Sequence, residues 1–518
     1  VGLGEADELT DFIKDICNND IDPTYREILC LGKLIGLTKP DSTPENPKLR
    51  PIGISETFLK IAGKVVMAQC SHGIKDFFGE LQLGVGYKGG CEKIIHEFRA
   101  LAATHPYIAT VDAKNAFNEI LRKCIRQTLA SNSDKFAPMF SLFDLEYVQK
   151  STLITPDGIT ITSSTGTRQG GSTAGLKFAI GMHPVLRRFF EKFGDTVKIK
   201  AYLDDVNLAS ADPTTLVEAI QFLEKELATV GLSVNRKKSW WLGPTAPVGL
   251  DGFQYADSAT ECIRIVGGYI GADAAVEAEL MNKVHACDAI FENLSRAPKQ
   301  LSTALLSKCV ASKMVFFLRT HPPELTAKLQ HAFDEHMLAA ICDIAEIKPT
   351  AVHRRRIALP ARLGGVGFYR CTDIAAACYQ ASKEFANGVE DGDSQKKLTA
   401  LIHEAMFQKM GDESEADRAV QEDFARVGGA WISSHEIDRF ELDSTWAAAL
   451  RVRVNCPHRH IDPVEINCPG SQCGEGKGKG CKGLSAAEFI PHVLGCTNLK
   501  YYSSTALATA TTPSPPPS

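Results

Sequence analysis

The chain has 518 residues, 44% apolar and 23% charged, with 57 Lys and Arg against 62 Asp and Glu for a formal net charge of −5. That balance excludes collagen-like, coiled-coil and wholly disordered proteins, and the length predicts about three or four domains. The acidic total removes any whole-chain electrostatic case for a nucleic-acid partner, so such a case must rest on local charge and on a site.

The chain opens on Val1 and not on Met, which reads as a piece of a larger polyprotein. Its start, VGLGEADELTDFIKDI, has neither a basic region nor an apolar core. No run approaches the roughly 20 uninterrupted apolar residues that cross a bilayer, so a soluble intracellular protein is expected. Residues 39–51, KPDSTPENPKLRP, hold four prolines and read as an exposed loop. From there to 271, helical patterns mix with β-rich runs at 107–113, 158–165, 198–205, 206–210 and 263–271. Helix and strand do not alternate regularly enough for a doubly wound sheet, which points to an α+β class. After 271 the pattern turns helical: Val276, Leu280, Val284, Cys287, Phe291 and Leu294 recur at three and four as one amphipathic helix. The tail beyond 503 has almost no large apolar residue and reads as disordered. Isolated cysteines such as Cys309 and Cys378 sit in apolar contexts and read as reduced core thiols.

The sharpest chemical feature is Tyr202-Leu203-Asp204-Asp205 between two β-rich runs. Alone, two adjacent acids read as turn formers. Upstream, TVDAKNAFNEI ends a β-rich run on Asp112 and places Phe117 five residues later. If the two segments are neighbouring strands, Asp112 and Asp204 converge at one end of a sheet. There, carboxylates hold a pair of divalent ions roughly 3.5–4 Å apart for an in-line displacement by a 3′-hydroxyl. Mg²⁺ suits such a site because it takes few carboxylates and leaves its other positions to water and phosphates. Between the acids lies GTRQGGSTAGLKFAIGMHP, whose glycines let backbone approach a base or nucleotide closely.

The ordered set LRPIGI, VDAKNAF, RQGG, YLDD, GLSVNRKKS and VGGYIG resembles the successive motifs of reverse transcriptases, particularly those of LINE-type non-LTR retrotransposons. The resemblance runs from about residue 49 to 271. It implies a right-hand polymerase, with fingers and palm over 1–271 and a helical thumb over 272–345. A helical connection over 346–450, a Cys/His module over 451–500 and a tail over 501–518 follow. It implies Asp112 and Asp204 as main metal ligands, Asp205 beside them in a lesser role, and the Ala113 carbonyl completing the coordination of two Mg²⁺, with Mn²⁺ as substitute. Arg50 would contact the triphosphate or template, and Phe117 would be a steric gate against the 2′-hydroxyl. Gln169 and Gly170 would face the nascent base pair, and Lys238 would protonate or screen the leaving pyrophosphate, with Lys237 a competing candidate. RQGGS lacks the Pro that many relatives carry soon after the second Gly.

Basic residues after 271 and the run His353-Arg354-Arg355-Arg356 offer phosphate contacts or an ordinary solvated face. Cys468 and Cys473, then His492 and Cys496, have spacings of a small structural zinc site. Cys456, His458, His460 and Cys481 compete as ligands.

The implied function is an RNA-directed DNA polymerase of a retroelement, extending a primer or target-DNA 3′ end on template RNA with deoxynucleoside triphosphates. No membrane partner is expected, and location in the nucleus and cytoplasm as a ribonucleoprotein is. An intron maturase, another right-hand polymerase and a non-catalytic RNA-binding protein are the alternatives. Phe117 argues against a polymerase that makes RNA, and retention of Asp112, Asp204 and Lys238 argues against a non-catalytic one.

Overall fold

The computed structural model describes residues 3–39, 42–389 and 394–413, together with Ala447, Leu450 and Arg451. The chain divides into two compact units, Val1–Ala275 and Val276–Ser518. Cys468, Cys473, His492 and Cys496, with their competing ligands and the tail, lie outside the described residues.

The first unit carries eleven strands among the described residues: β1 Gly32–Thr38, β2 Leu49–Ser55, β3 Tyr107–Val111, β4 Ser151–Ile154, β5 Thr160–Ser163, β6 Val197–Tyr202, β7 Asp205–Ser210, β8 Trp240–Gly243, β9 Gln254–Asp257, β10 Cys262–Ile265 and β11 Gly268–Gly271. They form a five-stranded sheet in the order β6-β7-β3-β8-β9, a four-stranded sheet in the order β2-β1-β4-β5, and the hairpin β10-β11. In the larger sheet β6, β7, β3 and β8 pair antiparallel, while β9 joins β8 in parallel.

Alternation explains how both faces of that sheet are covered. Successive strand residues point to opposite faces. Val197, Ile199 and Ala201 of β6, Val206 and Leu208 of β7, and Ala109 and Val111 of β3 enter one core. There they join helices Ala174–Phe193 and Pro213–Thr229 through Phe178, Ile180, Leu216 and Leu223. Ile108, Ala209 and Leu242 face the other side, with Ile94 and Phe98 of helix Gly90–Leu101 and Ile263, Ile265 and Ile270 of β10-β11.

Two β-rich runs and one loop resolve differently from their sequence reading. The run 198–205 is not one strand, because β6 turns into β7 through Leu203-Asp204. The run 263–271 is likewise a hairpin, turning at Val266 and Gly267 with φ +39 and +99. Within the expected loop 39–51, Leu49 already begins β2; Pro51 is tolerated there because β2 is an edge strand.

The described residues of the second unit are helical. The expected single helix from 276 to 294 is two, Asp273–His285 and Asp288–Arg296, although Val276, Leu280, Val284, Cys287 and Leu294 are buried as the periodicity predicts. The Asp334 carboxylate of helix Ala327–Ala345 accepts bonds from the Cys371 and Thr372 amides at 2.6 and 3.0 Å, satisfying the start of helix Cys371–Ala386.

Cys309 is exposed in the π-helical turn Leu306–Val310, so it is no core thiol, whereas Cys378 is fully buried. His353 to Arg356 do not form a solvated basic patch. His353 closes a capping box with Thr350, Arg354 pairs with Glu335 at 2.9 Å, and Arg356 is fully buried. Among the described residues, one helical run, Lys299–Thr320, is long and apolar enough by length and composition to cross a membrane. Lys308 and Lys313 interrupt it, and a core helix of a soluble protein meets the same measure.

Candidate active site

β6 and β7 form a two-residue hairpin in which Tyr202 pairs with Asp205 and Leu203-Asp204 make the loop. Leu203 holds φ +56, a conformation that crowds Cβ against the backbone and that a side chain rarely adopts. β3 lies beside β7 with Val111 opposite Val206. Carrying that register one residue on places Asp112 opposite Asp205, with Asp204 at the hairpin tip.

Asp112 is pinned by the segment before β8. The Asn235 amide donates to the Asp112 carbonyl at 2.7 Å. The Asp112 amide donates to Ser239 Oγ at 3.1 Å, and that hydroxyl donates to the Asn235 carbonyl at 3.0 Å. Ser239 is fully buried. Ala113 bridges Val234, and the Lys114 amide bonds the Ser233 carbonyl. The bridge uses the Asp112 carbonyl and the Lys114 amide, so the Ala113 carbonyl takes no part in it.

Electrostatics bind the three acids into one site. Loss of hydration raises the Asp112 carboxyl above its ordinary range, opposed by a hydrogen bond from the Asn235 side chain and by the charges of Lys238 and Lys39. Asp204 is raised chiefly by burial and then by Asp112, with Arg50 opposing. Asp205 is pushed up to about 6 by lost hydration, then by Asp204 and Asp112, against Arg264. Asp205 nonetheless keeps an exposed edge, which screens part of that push.

Neighbouring acids that repel one another suit divalent cations. Yet among the described residues no three His, Cys, Asp or Glu side chains converge closely enough to hold one ion. The donor set therefore fits a site that two carboxylates begin and substrate phosphates complete, as Mg²⁺ prefers, and not a closed protein cage. A cavity of about 770 Å³, walled by Phe77, Phe78, His183 and Phe190 among others, lies elsewhere in this unit and includes none of the three aspartates.

All of these acids fall within residues 37–258, which match the family model described as reverse transcriptase (RNA-dependent DNA polymerase). The chain carries a reverse transcriptase domain. The 132 kDa protein of the retrotransposable element SLACS from Trypanosoma brucei gambiense is 26% identical over 437 residues, 82% of this chain and 34% of that protein. The chain thus spans about a third of that relative's length. Among solved structures, apo telomerase from Candida tropicalis is 10% identical, with a TM-score of 0.41 over 77% of this chain and 73% of that one. Telomerase from Candida albicans in complex with a TWJ fragment of telomeric RNA is also 10% identical, with a TM-score of 0.41 over 80% of this chain and 66% of that one. Scores of that size do not carry the assignment, which rests on the match at 37–258.

Within the reverse transcriptase domain, Arg50 lies on β2 and is exposed. The Gln169 carbonyl accepts from the Gly53 amide of the same strand at 2.8 Å, tying RQGG to β2. Gly170 adopts φ +112, and a Cβ there would meet the Gly53 carbonyl oxygen at 3.1 Å, so glycine is required. Phe117, in the short helix Ala116–Glu119, is half-buried and stacks on the fully buried Phe178 with ring centroids 4.6 Å apart. Lys237 and Lys238 are both exposed, and the charge felt at Asp112 is that of Lys238.

Sequence reasoning missed Asn235 and Ser239, although both lie in the quoted segment GLSVNRKKS; a serine one residue before a strand carries no signal of what it bonds. Lys39 and Arg264 were also missed, since their nearness to Asp112 and Asp205 depends on chain segments remote in sequence. Phe178 was legible only as a core residue of an apolar helix.

Proposed function

We propose that the chain is an RNA-directed DNA polymerase of a LINE-type retroelement, extending a DNA 3′ end on an RNA template. What carries the reading is the juxtaposition of Asp112 with the Leu203-Asp204 hairpin at one end of the central sheet, inside the segment that matches the reverse transcriptase family. The retrotransposon relative supports the retroelement context. In right-hand terms, β2 and its sheet belong to the fingers, the five-stranded sheet to the palm, and the helices after 271 to the thumb and connection.

Asp112 and Asp204 would hold the divalent ions, with Asp205 and the Ala113 carbonyl beside them. The ions, when bound, supply Lewis-acid activation of the attacking hydroxyl and neutralise phosphate charge. The remaining work falls to the chain. Arg50 and Lys39, whose charges reach Asp204 and Asp112, would draw the triphosphate toward the carboxylates. Phe117, its ring fixed against Phe178, would occupy the space a 2′-hydroxyl needs. Gln169 and Gly170, tied to β2, would present backbone to the nascent base pair. Lys238 would deliver a proton to the departing pyrophosphate.

Cys468, Cys473, His492 and Cys496 are proposed to bind one zinc and to hold template RNA or target DNA, in a ribonucleoprotein that moves between cytoplasm and nucleus. Metal analysis of the purified full chain is expected to give one zinc per chain; a zinc-free preparation that keeps full RNA affinity would contradict it. The polymerase assignment is tested by Asp204→Ala, which should reduce primer extension on RNA by at least about 1,000-fold, because electrostatic stabilisation of the transferred phosphoryl group is the principal catalytic contribution. RNA binding should change little. An Asp204→Ala chain that still extends the primer would refute the site.

A further inference from the structure

The strained residue of the YLDD hairpin is held by a side chain from outside every motif discussed so far. Gln82 is fully buried. Its Oε1 accepts from the Leu203 amide at 2.7 Å, and its Nε2 donates to the Leu203 carbonyl at 3.1 Å. One primary amide thus engages both backbone groups of the residue at φ +56. The same Oε1 accepts from the Gly84 amide at 3.0 Å.

The base of this clamp is itself fixed. The Ala201 amide donates to the Leu81 carbonyl and the Leu83 amide donates to the Ala201 carbonyl, both at 2.8 Å. Residues 81–83 thereby pair along the outer edge of β6, with Gln82 bridging Ala201 in parallel. Gly84 completes the fit. A Cβ there would lie 2.7 Å from the Leu203 nitrogen and 3.0 Å from Gln82 Oε1, where nothing can yield without moving the turn or the amide.

We propose that Gln82 is a positioning residue for the catalytic hairpin: its amide holds the Leu203 peptide in the left-handed conformation and so fixes where Asp204 projects. The proposal rests on the polymerase reading for its consequence, though the clamp itself rests on the hydrogen bonds alone. The amide supplies both the acceptor and the donor that this spot requires. An ionised Glu offers no donor to the Leu203 carbonyl, and an apolar residue removes the partner of three backbone groups, the Leu203 amide and carbonyl and the Gly84 amide. Leu203's neighbour Asp204 sits at the tip of the two-residue turn, where a rotated peptide would swing the carboxylate away from Asp112.

The test uses the full chain and three readouts: steady-state primer extension on RNA, Mn²⁺ binding by electron paramagnetic resonance without nucleic acid, and cooperative melting. Gln82→Leu is expected to lower kcat about tenfold or more and to weaken Mn²⁺ binding by a similar factor, as loss of a group that orients metal-binding residues does. KM for the nucleotide should stay within about threefold, since the substrate contacts are untouched. In a Leu203→Gly background the same substitution should cost less than about a third as much, because glycine takes positive φ without restraint. A merely structural glutamine would lose the same factor in both backgrounds, and that result, or unchanged kcat and Mn²⁺ affinity, would overturn the proposal. Should Gln82→Leu fail to fold, Gly84→Ala attacks the same contact and carries the same expectations. If the unsubstituted chain shows no extension at all, the polymerase reading fails, while the Mn²⁺ arm still decides on the clamp.

Discussion

His183 shows how a single buried ring sets an acid limit. It lies on helix Ala174–Phe193, packed against Phe77 and Phe78 with ring centroids at 4.3 and 5.3 Å, and its Nδ1 has no hydrogen-bond partner among the described residues. Burial, then the Arg187 charge, lowers its pKa from 6.5 to about 4. The unfolded chain therefore binds this proton more readily than the folded one. The neutral ring's contribution is complete above pH 6.5 and is lost as pH falls toward 4. The slope is at most about 1.4 kcal/mol per pH unit, so up to about 3 kcal/mol disappears across that window. Urea denaturation from pH 7 to pH 4 should show this decline, and His183→Leu should flatten it; an unchanged slope would remove His183 as its source. The sequence showed His183 only as part of the phrase GMHP. Asp112 and Asp204, by contrast, stood out in the sequence as acids at the ends of β-rich runs, and Phe117 and Lys238 only through motifs that resemble those of reverse transcriptases. Gln82, Asn235 and Ser239 were not legible, because each acts through backbone hydrogen bonds that leave no pattern along the chain.

At the scale of elements, the loop before RQGG is keyed to the turn that carries Phe117. Gly166 adopts φ +68, and a Cβ there would stand 2.4 Å from the Phe117 carbonyl oxygen and 2.5 Å from Asn118 backbone. Its amide donates to the Ile120 carbonyl at 3.0 Å, and Arg122 bonds the Gly166 and Ser163 carbonyls at 2.8 and 2.9 Å. Gly166→Ala must move either the loop or the Ala116–Glu119 turn. We expect a loss of about 2 kcal/mol or more in urea denaturation, together with reduced primer extension. A substitution neutral in both would show that the two elements are not keyed. Of these elements, the alternating apolar residues of β3, β6 and β7 were readable from the sequence. The break between β6 and β7 was legible at YLDD, but its edge was not, because Leu203 looks like one more strand residue. β2 was hidden by Pro51 and the three prolines just before it, and β8 by its brevity, four residues beside a basic turn.

The whole molecule is acidic, yet part of that charge is concentrated where it serves a purpose. Asp112, Asp204 and Asp205 add negative charge that divalent ions and the cations Arg50, Lys39, Lys238 and Arg264 answer locally. The expected basic grip beyond the palm is less plain. Arg296 pairs with Glu292 at 2.6 Å, Arg354 with Glu335, and Lys299 with Glu346, so much of that charge is already engaged within the second unit. The change from mixed to helical patterning after 271 was legible in the sequence. The interior of the helical unit was not, because periodicity marks a buried face without saying where a helix breaks.

The measurement that bears most directly on the account is primer extension by the purified chain, with a DNA primer annealed to RNA or to DNA template and with deoxy- or ribonucleoside triphosphates supplied separately with Mg²⁺. The account predicts extension on the RNA template with deoxynucleotides, dependent on Mg²⁺ and suppressed at least about tenfold when ribonucleotides replace them, as a ring that bars the 2′-hydroxyl requires. Efficient ribonucleotide incorporation, or no extension on RNA while a DNA template is copied, would contradict it.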